Sequence, residues 1–157
     1  MRPEEFLFPP WRGHGVVCDA FGLPSDKYEN FGRGRREPDG AVVIEHNAKF
    51  ESGVLNSFEW RFDAGDGNTI RAHDLKAGAE LNGEMTAHGF RWQFPAIVKT
   101  PLGVRRCRVD VDYRILSATE VSSTSTITLL GVTIATGSAH IRHLGPHEDV
   151  ADNSQPL

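Results

Sequence analysis

His46 shares strand parity with Ile44, Ala48 and Phe50, so an ionisable ring falls on a face whose other members are apolar. A histidine so placed must find partners for two ring nitrogens. Three kinds of chemistry are open to it: a core residue bonded to a neighbour such as Tyr113, a polar anchor for a bound molecule, or a ligand to a metal or haem. The chain has seven histidines, but the one close group is His140, His143 and His147. In a strand His140 and His143 face opposite sides, so they do not share an ion, and no metal site is expected.

The other reactive residue types read as surface or core. Arg33, Arg35 and Arg36 lie near Glu37, and Arg105, Arg106 and Arg108 near Asp110 and Asp112, which is the pattern of a solvated face with ion pairs. Asp110 and Asp112 sit in a charge-balanced row, with nothing to raise the pKa of either toward that of a general acid. Neither Cys18 nor Cys107 has metal or redox spacing, and free thiols are expected. No Ser-His-Asp or Cys-His arrangement has a recognisable local context, so no catalytic residue is assigned. Gly13, Gly15, Gly32 and Gly34 alternate as in a phosphate loop but precede no helix, and strand coiling accounts for them.

The elements that must position these residues are strands. From Arg106 to Ile115 strict alternation puts Cys107, Val109, Val111, Tyr113 and Ile115 on one face and charged residues on the other. Turn residues recur at roughly ten-residue intervals, the spacing of an all-β sandwich or barrel. Strands are expected near 11–19, 27–36, 41–50, 55–63, 68–75, 79–87, 90–99, 104–116, 119–130 and 132–143, with a short helical turn near Arg2 to Phe8. Asn82-Gly83 reads as a two-residue hairpin turn or a bulge. Residues 1–144 form one domain in this reading, and 145–157 a disordered tail.

Aromatic residues occupy the inward positions of the central strands, with Phe58, Trp60 and Phe62 in one and Phe90, Trp92 and Phe94 in another. The last strand offers Ala135, Gly137, Ala139 and Ile141, small enough to leave a hollow on one side. A chain of 157 residues suffices for a single core. Its net charge of -4 gives no basic field for nucleic acid. No apolar run is long enough for a membrane span or a signal peptide, so a cytoplasmic location is expected.

Trp11-Arg12-Gly13-His14-Gly15 resembles the Trp-x-Gly-x-Gly first strand of the lipocalin-like barrels, the calycins. Further points, over residues 9 to 144, are Phe31-Gly32-Arg33-Gly34, Glu51, Trp60-Arg61-Phe62 beside Asp66-Gly67, Gly83-Glu84 before Phe90-Arg91-Trp92, and Gly131-Val132-Thr133-Ile134-Ala135-Thr136-Gly137. In these the chain looks like an uncharacterised bacterial calycin family, of unknown function, that includes small lipoproteins. The lipid-attachment cysteine of those members is missing here. The resemblance implies an antiparallel up-and-down barrel of about 8–10 strands, with Trp11 plugging one end and Arg142 packed over it. It implies no catalytic residues. A haem-binding, nitrobindin-like branch of the calycins shares the first-strand motif and would need His140 or His143 as proximal ligand.

Three functions follow as expectations. The first is a binding module for a small apolar or amphipathic molecule, such as a fatty acid, held by His46, Phe50, Phe58, Trp60, Trp92, Phe94 and Tyr113, with no cofactor. The second is a packed barrel working through its surface, as a homodimer or a partner-binding subunit. The third is the haem barrel. A continuous apolar cavity above about 300 Å³ would separate the first from the second.

Overall fold

The computed structural model describes residues 1–65 and 67–148. Asp66 and residues 149–157 of the expected tail lie outside that range. A short helix, α1 (Pro3–Phe6), precedes ten strands: β1 (Trp11–Asp19), β2 (Pro24–Arg36), β3 (Val42–Phe50), β4 (Leu55–Phe62), β5 (Thr69–Asp74), β6 (Glu80–Met85), β7 (Gly89–Thr100), β8 (Gly103–Ile115), β9 (Glu120–Leu129) and β10 (Val132–His143). Each pairs antiparallel with its sequence neighbours, and β1 pairs with β10 from Trp11↔His143 to Asp19↔Ala135, closing the barrel. The expected strands are present, with ends shifted by three residues at most.

The two ends of the barrel differ. At one, α1 folds across the opening and buries Phe6 completely beside Trp11, which is 1% exposed. Arg2 fastens the helix by donating to the Gly67 and Thr69 carbonyls at 3.1 and 3.2 Å. The His143 ring packs tilted against Phe6 with centroids 4.6 Å apart, and its Nε2 donates to the Phe6 carbonyl at 2.7 Å. Phe90, Trp92, Tyr113, Trp60 and Phe62 fill the space beneath this plug. Each large side chain so buried contributes roughly 1.5–3 kcal/mol.

The other end is open, ringed by the loops between β1 and β2, β3 and β4, β7 and β8, and β9 and β10. Both register shifts fall here, at Val17/Cys18 and Thr133/Ala135. Such irregularities increase local twist and splay the strands of a barrel rim.

One flank is incomplete. The short strands β5 and β6 pair only with the half of β4 and of β7 nearest the plug: β4 pairs with β5 through Trp60, Arg61 and Phe62, and β6 reaches β7 through Gln93. Between the free halves of β4 and β7 the Asn56 amide substitutes for a strand. Its Nδ2 donates to the Ile97 carbonyl and its Oδ1 accepts from the Ile97 N–H, both at 2.8 Å. Asp74, 2% exposed, folds the β5–β6 turn against β4 by accepting from the backbone N–H groups of Glu59, Lys76 and Ala77.

Two local expectations need correction. Gly83 is neither turn nor bulge, because β6 runs in unbroken register with β5 and β7. A Cβ there would lie 2.1 Å from the Arg91 carbonyl oxygen, so glycine permits a close strand approach. Arg142 does not pack over Trp11. It points outward and holds Glu148 at 2.6 Å, which lowers the Glu148 pKa to about 2, and Glu148 also closes a turn onto Gly145. Residues 145–148 of the expected tail are therefore tied to the barrel.

Candidate functional site

The open end leads into an apolar pocket of about 570 Å³, walled by Val17, Phe50, Val98, Leu129, Ile134 and Ala135, with Phe21 and Leu102 at its lip. Val17, Phe50 and Val98 also line a narrower lumen of about 70 Å³ below it, so the two spaces adjoin across these three side chains. A lumen of that size holds about two water molecules at ~30 Å³ each. Its wall is mixed. Phe58, Phe94, Val109 and Val111 are apolar, whereas Tyr28, Asn30, His46, Asn56, Tyr113, Ser123 and Ser125 are polar. Among the described residues no Asp, Glu, Lys or Arg lines it.

Strand parity brings five of the seven expected site residues to this lumen: His46, Phe50, Phe58, Phe94 and Tyr113. Trp60 and Trp92 sit deeper, in the filled half. Trp60 stacks on Phe58 at 4.6 Å and donates its indole N–H to His46 Nδ1 at 3.4 Å. The partner of His46 is thus Trp60 rather than Tyr113. With Nδ1 accepting, the ring proton resides on Nε2, a donor on a ring that borders the lumen. Burial lowers the His46 pKa from 6.5 to about 4, so the ring is neutral at pH 7. Burial raises the Tyr28 phenol to about 12 and pushes Tyr113 higher still, so these too are uncharged.

Sequence reasoning missed Tyr28, Asn30, Asn56 and the two serines. The signal was present in β1, whose inward positions include Gly13 and Gly15 opposite Asn30 and Tyr28. A Cβ on Gly15 would lie 2.3 Å from Tyr28 Cζ, so a tyrosine can lie flat on that wall only because Gly15 has no side chain.

The remaining candidates are occupied elsewhere. His140 is on the outer face with Nε2 3.1 Å from Glu120, where it borders a surface groove shared with His14, and His143 is engaged with Phe6. Among the described residues no cluster of three or more His, Cys, Asp or Glu could hold a metal ion. Cys107 is buried, its thiol pKa raised by burial, and Cys18 is a free thiol. Arg108 pairs with Asp110, Arg33 with Glu45, and Arg35 with Glu37 and Glu59, the outer-face ion pairs expected of these strands. No helix among the described residues is long and apolar enough to cross a membrane.

The sequence matches no protein-family model and none of the curated proteins. Solved structures match it in shape. Rv2717c from M. tuberculosis is 13% identical with a TM-score of 0.61, over 92% of this chain and 99% of that one. The S-type phycobiliprotein lyase CPES from Guillardia theta is 10% identical with a TM-score of 0.59, over 92% of this chain and 94% of that one. A DUF3598-family protein of unknown function from Nostoc punctiforme is 10% identical with a TM-score of 0.55. The match takes in 90% of this chain but only 49% of that longer one. At such identities the likeness is one of fold alone, and the fold is a calycin-like β-barrel.

Proposed function

We propose that the barrel binds one small amphipathic molecule, its apolar body in the mouth and an uncharged polar end in the lumen. The observation that carries this is the adjacency of an apolar pocket of about 570 Å³ to a lumen with several polar groups and no charged one among the described residues. That is the composition of a ligand pocket. A carboxylate in the lumen would be desolvated with no cation to meet it, because His46 is neutral. A hydroxyl, carbonyl or amide finds donors and acceptors there at no such cost. A fatty alcohol or monoacylglycerol suits the lumen better than the carboxyl end of a fatty acid would.

Displacement of a fluorescent amphiphile tests this. A medium-chain alcohol should compete about tenfold better than the acid of equal length at pH 7. Failure of every alcohol and ester tested to displace the probe would end the proposal. Gly15→Ala gives a second measure, since the new methyl drives the Tyr28 ring toward the lumen. Affinity should fall about tenfold, while the denaturant midpoint shifts by no more than the ~1–3 kcal/mol of a locally overpacked site.

A further inference from the structure

Apart from Met1, Leu75 and Leu116, every large hydrophobic side chain that stands exposed among the described residues lies in the half of the barrel that holds the mouth. The most prominent are Phe21 and Leu23 in the β1–β2 loop, Leu102 and Val104 around the β7–β8 turn, and Leu130 and Val132 around the β9–β10 turn. Phe21 is 90% exposed and Leu130 is 95% exposed. A collar of this kind is not the scattered surface leucine of an ordinary soluble domain.

Leu130 adds an independent observation. It has φ +50° and is followed by Gly131 at φ +80°, the two central residues of a tight turn whose flanking pair is Leu129↔Val132. Two consecutive positive φ angles make this a type I′ turn, for which Asn-Gly is the favoured pair. Leucine there is strained, and its side chain contacts too little to recover the cost. Folding does not account for a leucine at this tip.

Charge says what the collar meets. All four lysines of the chain, Lys27, Lys49, Lys76 and Lys99, are exposed in the same half, joined by Arg105 and Arg106 at the start of β8. Among the described residues none of these six is in an ion pair, whereas Arg2, Arg33, Arg35, Arg61, Arg91, Arg108 and Arg142, which point elsewhere or lie lower on the strands, are; in the plug half Arg36, Arg71 and Arg114 are also exposed without an ion pair, but they stand apart from any apolar collar. The nearby carboxylates of Asp19 and Asp26 are engaged in holding loops. Asp19 accepts from the Phe21 and Leu23 N–H groups, and Asp26 accepts from Ser52. Glu51 and Glu80 are the exposed acids of this half.

We infer that the mouth end docks on an anionic lipid surface, with the loop leucines and Phe21 seated at the headgroup boundary and the lysines against the lipid phosphates. Apolar tips surrounded by unpaired cations are the composition of an interfacial anchor. A protein of net charge -4 that gathers all four of its lysines, with Arg105 and Arg106, at its one apolar end is oriented by such a surface.

Sedimentation with vesicles tests the docking, and does not require a ligand in the barrel. The full chain should sediment with phosphatidylcholine vesicles containing phosphatidylglycerol, far less with phosphatidylcholine alone, and less as salt shortens the reach of the charges. Leu23→Ser with Leu130→Asn should lower partitioning about tenfold, and Lys49→Gln with Lys76→Gln should do the same while flattening the salt dependence. None of these four side chains lines the mouth pocket or the lumen, so amphiphile displacement stays unchanged in both variants. Leu130→Asn alone should hold or raise the denaturant midpoint, which separates lost docking from lost folding. Equal partitioning of parent and variants, or no sedimentation of the parent, would overturn the inference. So would a parent that elutes as a dimer beside a monomeric Leu23→Ser and Leu130→Asn variant, because the collar would then belong to a second copy.

Discussion

Between pH 7 and pH 4 the parent protein should lose up to about 3 kcal/mol of stability that a His46→Gln variant keeps. The folded pKa of His46 is about 4, held below its ordinary 6.5 by desolvation. A histidine with a depressed folded pKa contributes stability that is fully present above the unfolded value. That contribution is lost as pH falls from about 6.5 through the folded value, because the unfolded chain takes up the proton first. Tyr28 and Tyr113, the other titratable groups bordering the lumen, are neutral across this range. Surface pairs such as Arg142 with Glu148 are common to parent and variant and drop out of the difference. The glutamine amide offers an oxygen to the Trp60 N–H in place of the ring nitrogen, so the variant should fold. Denaturant midpoints at pH 7, 5.5 and 4 check this, and equal losses in the two proteins would place His46 in contact with water.

Asn56→Ala should cost about 2–3 kcal/mol, because one substitution orphans both the N–H and the carbonyl of Ile97. Asn56 is 6% exposed, so water reaches the vacated positions poorly. Asn56→Asp should be about as damaging, since a carboxylate keeps the acceptor but faces the Ile97 carbonyl with no donor. In hydrogen exchange the Ile97 amide should lose protection in both variants, while amides in the β1–β10 ladder keep theirs. Unchanged protection at Ile97 would show that the flank between β4 and β7 is sealed by something other than this amide.

Strand order and strand ends were legible because side-chain parity is a local property, visible in runs such as Cys107 to Ile115. Parity also named His46, Phe50, Phe58, Phe94 and Tyr113 as inward residues. It is silent on depth along the barrel. Trp60 and Trp92 have the same parity as Phe58 and Phe94 but sit nearer the plug, so periodicity could not separate lining from filling. The Asn56 bridge depends on β5 and β6 being shorter than their neighbours, a comparison across four strands. The shift of Arg142 from Trp11 to Glu148 depends on a partner six residues away in a segment without periodicity. Gly83 misled because Asn-Gly is a strong turn signal, and the close approach of β7 that glycine permits leaves no local mark.

The seam between β1 and β10 has a consequence for synthesis. Every other strand pair in the barrel joins neighbours along the chain, and can form as soon as the second strand has been made. β1 must wait for its second partner until His143 has left the ribosome, because Trp11 lies opposite that residue. Until β10 has been made the nascent barrel is an open, growing sheet with one fixed edge at β1, a template for pairing with other chains. The charged residues on that edge, Arg12 and Asp19, and the glycines around His14 make it a poor template, which protects the unfinished barrel until β10 arrives.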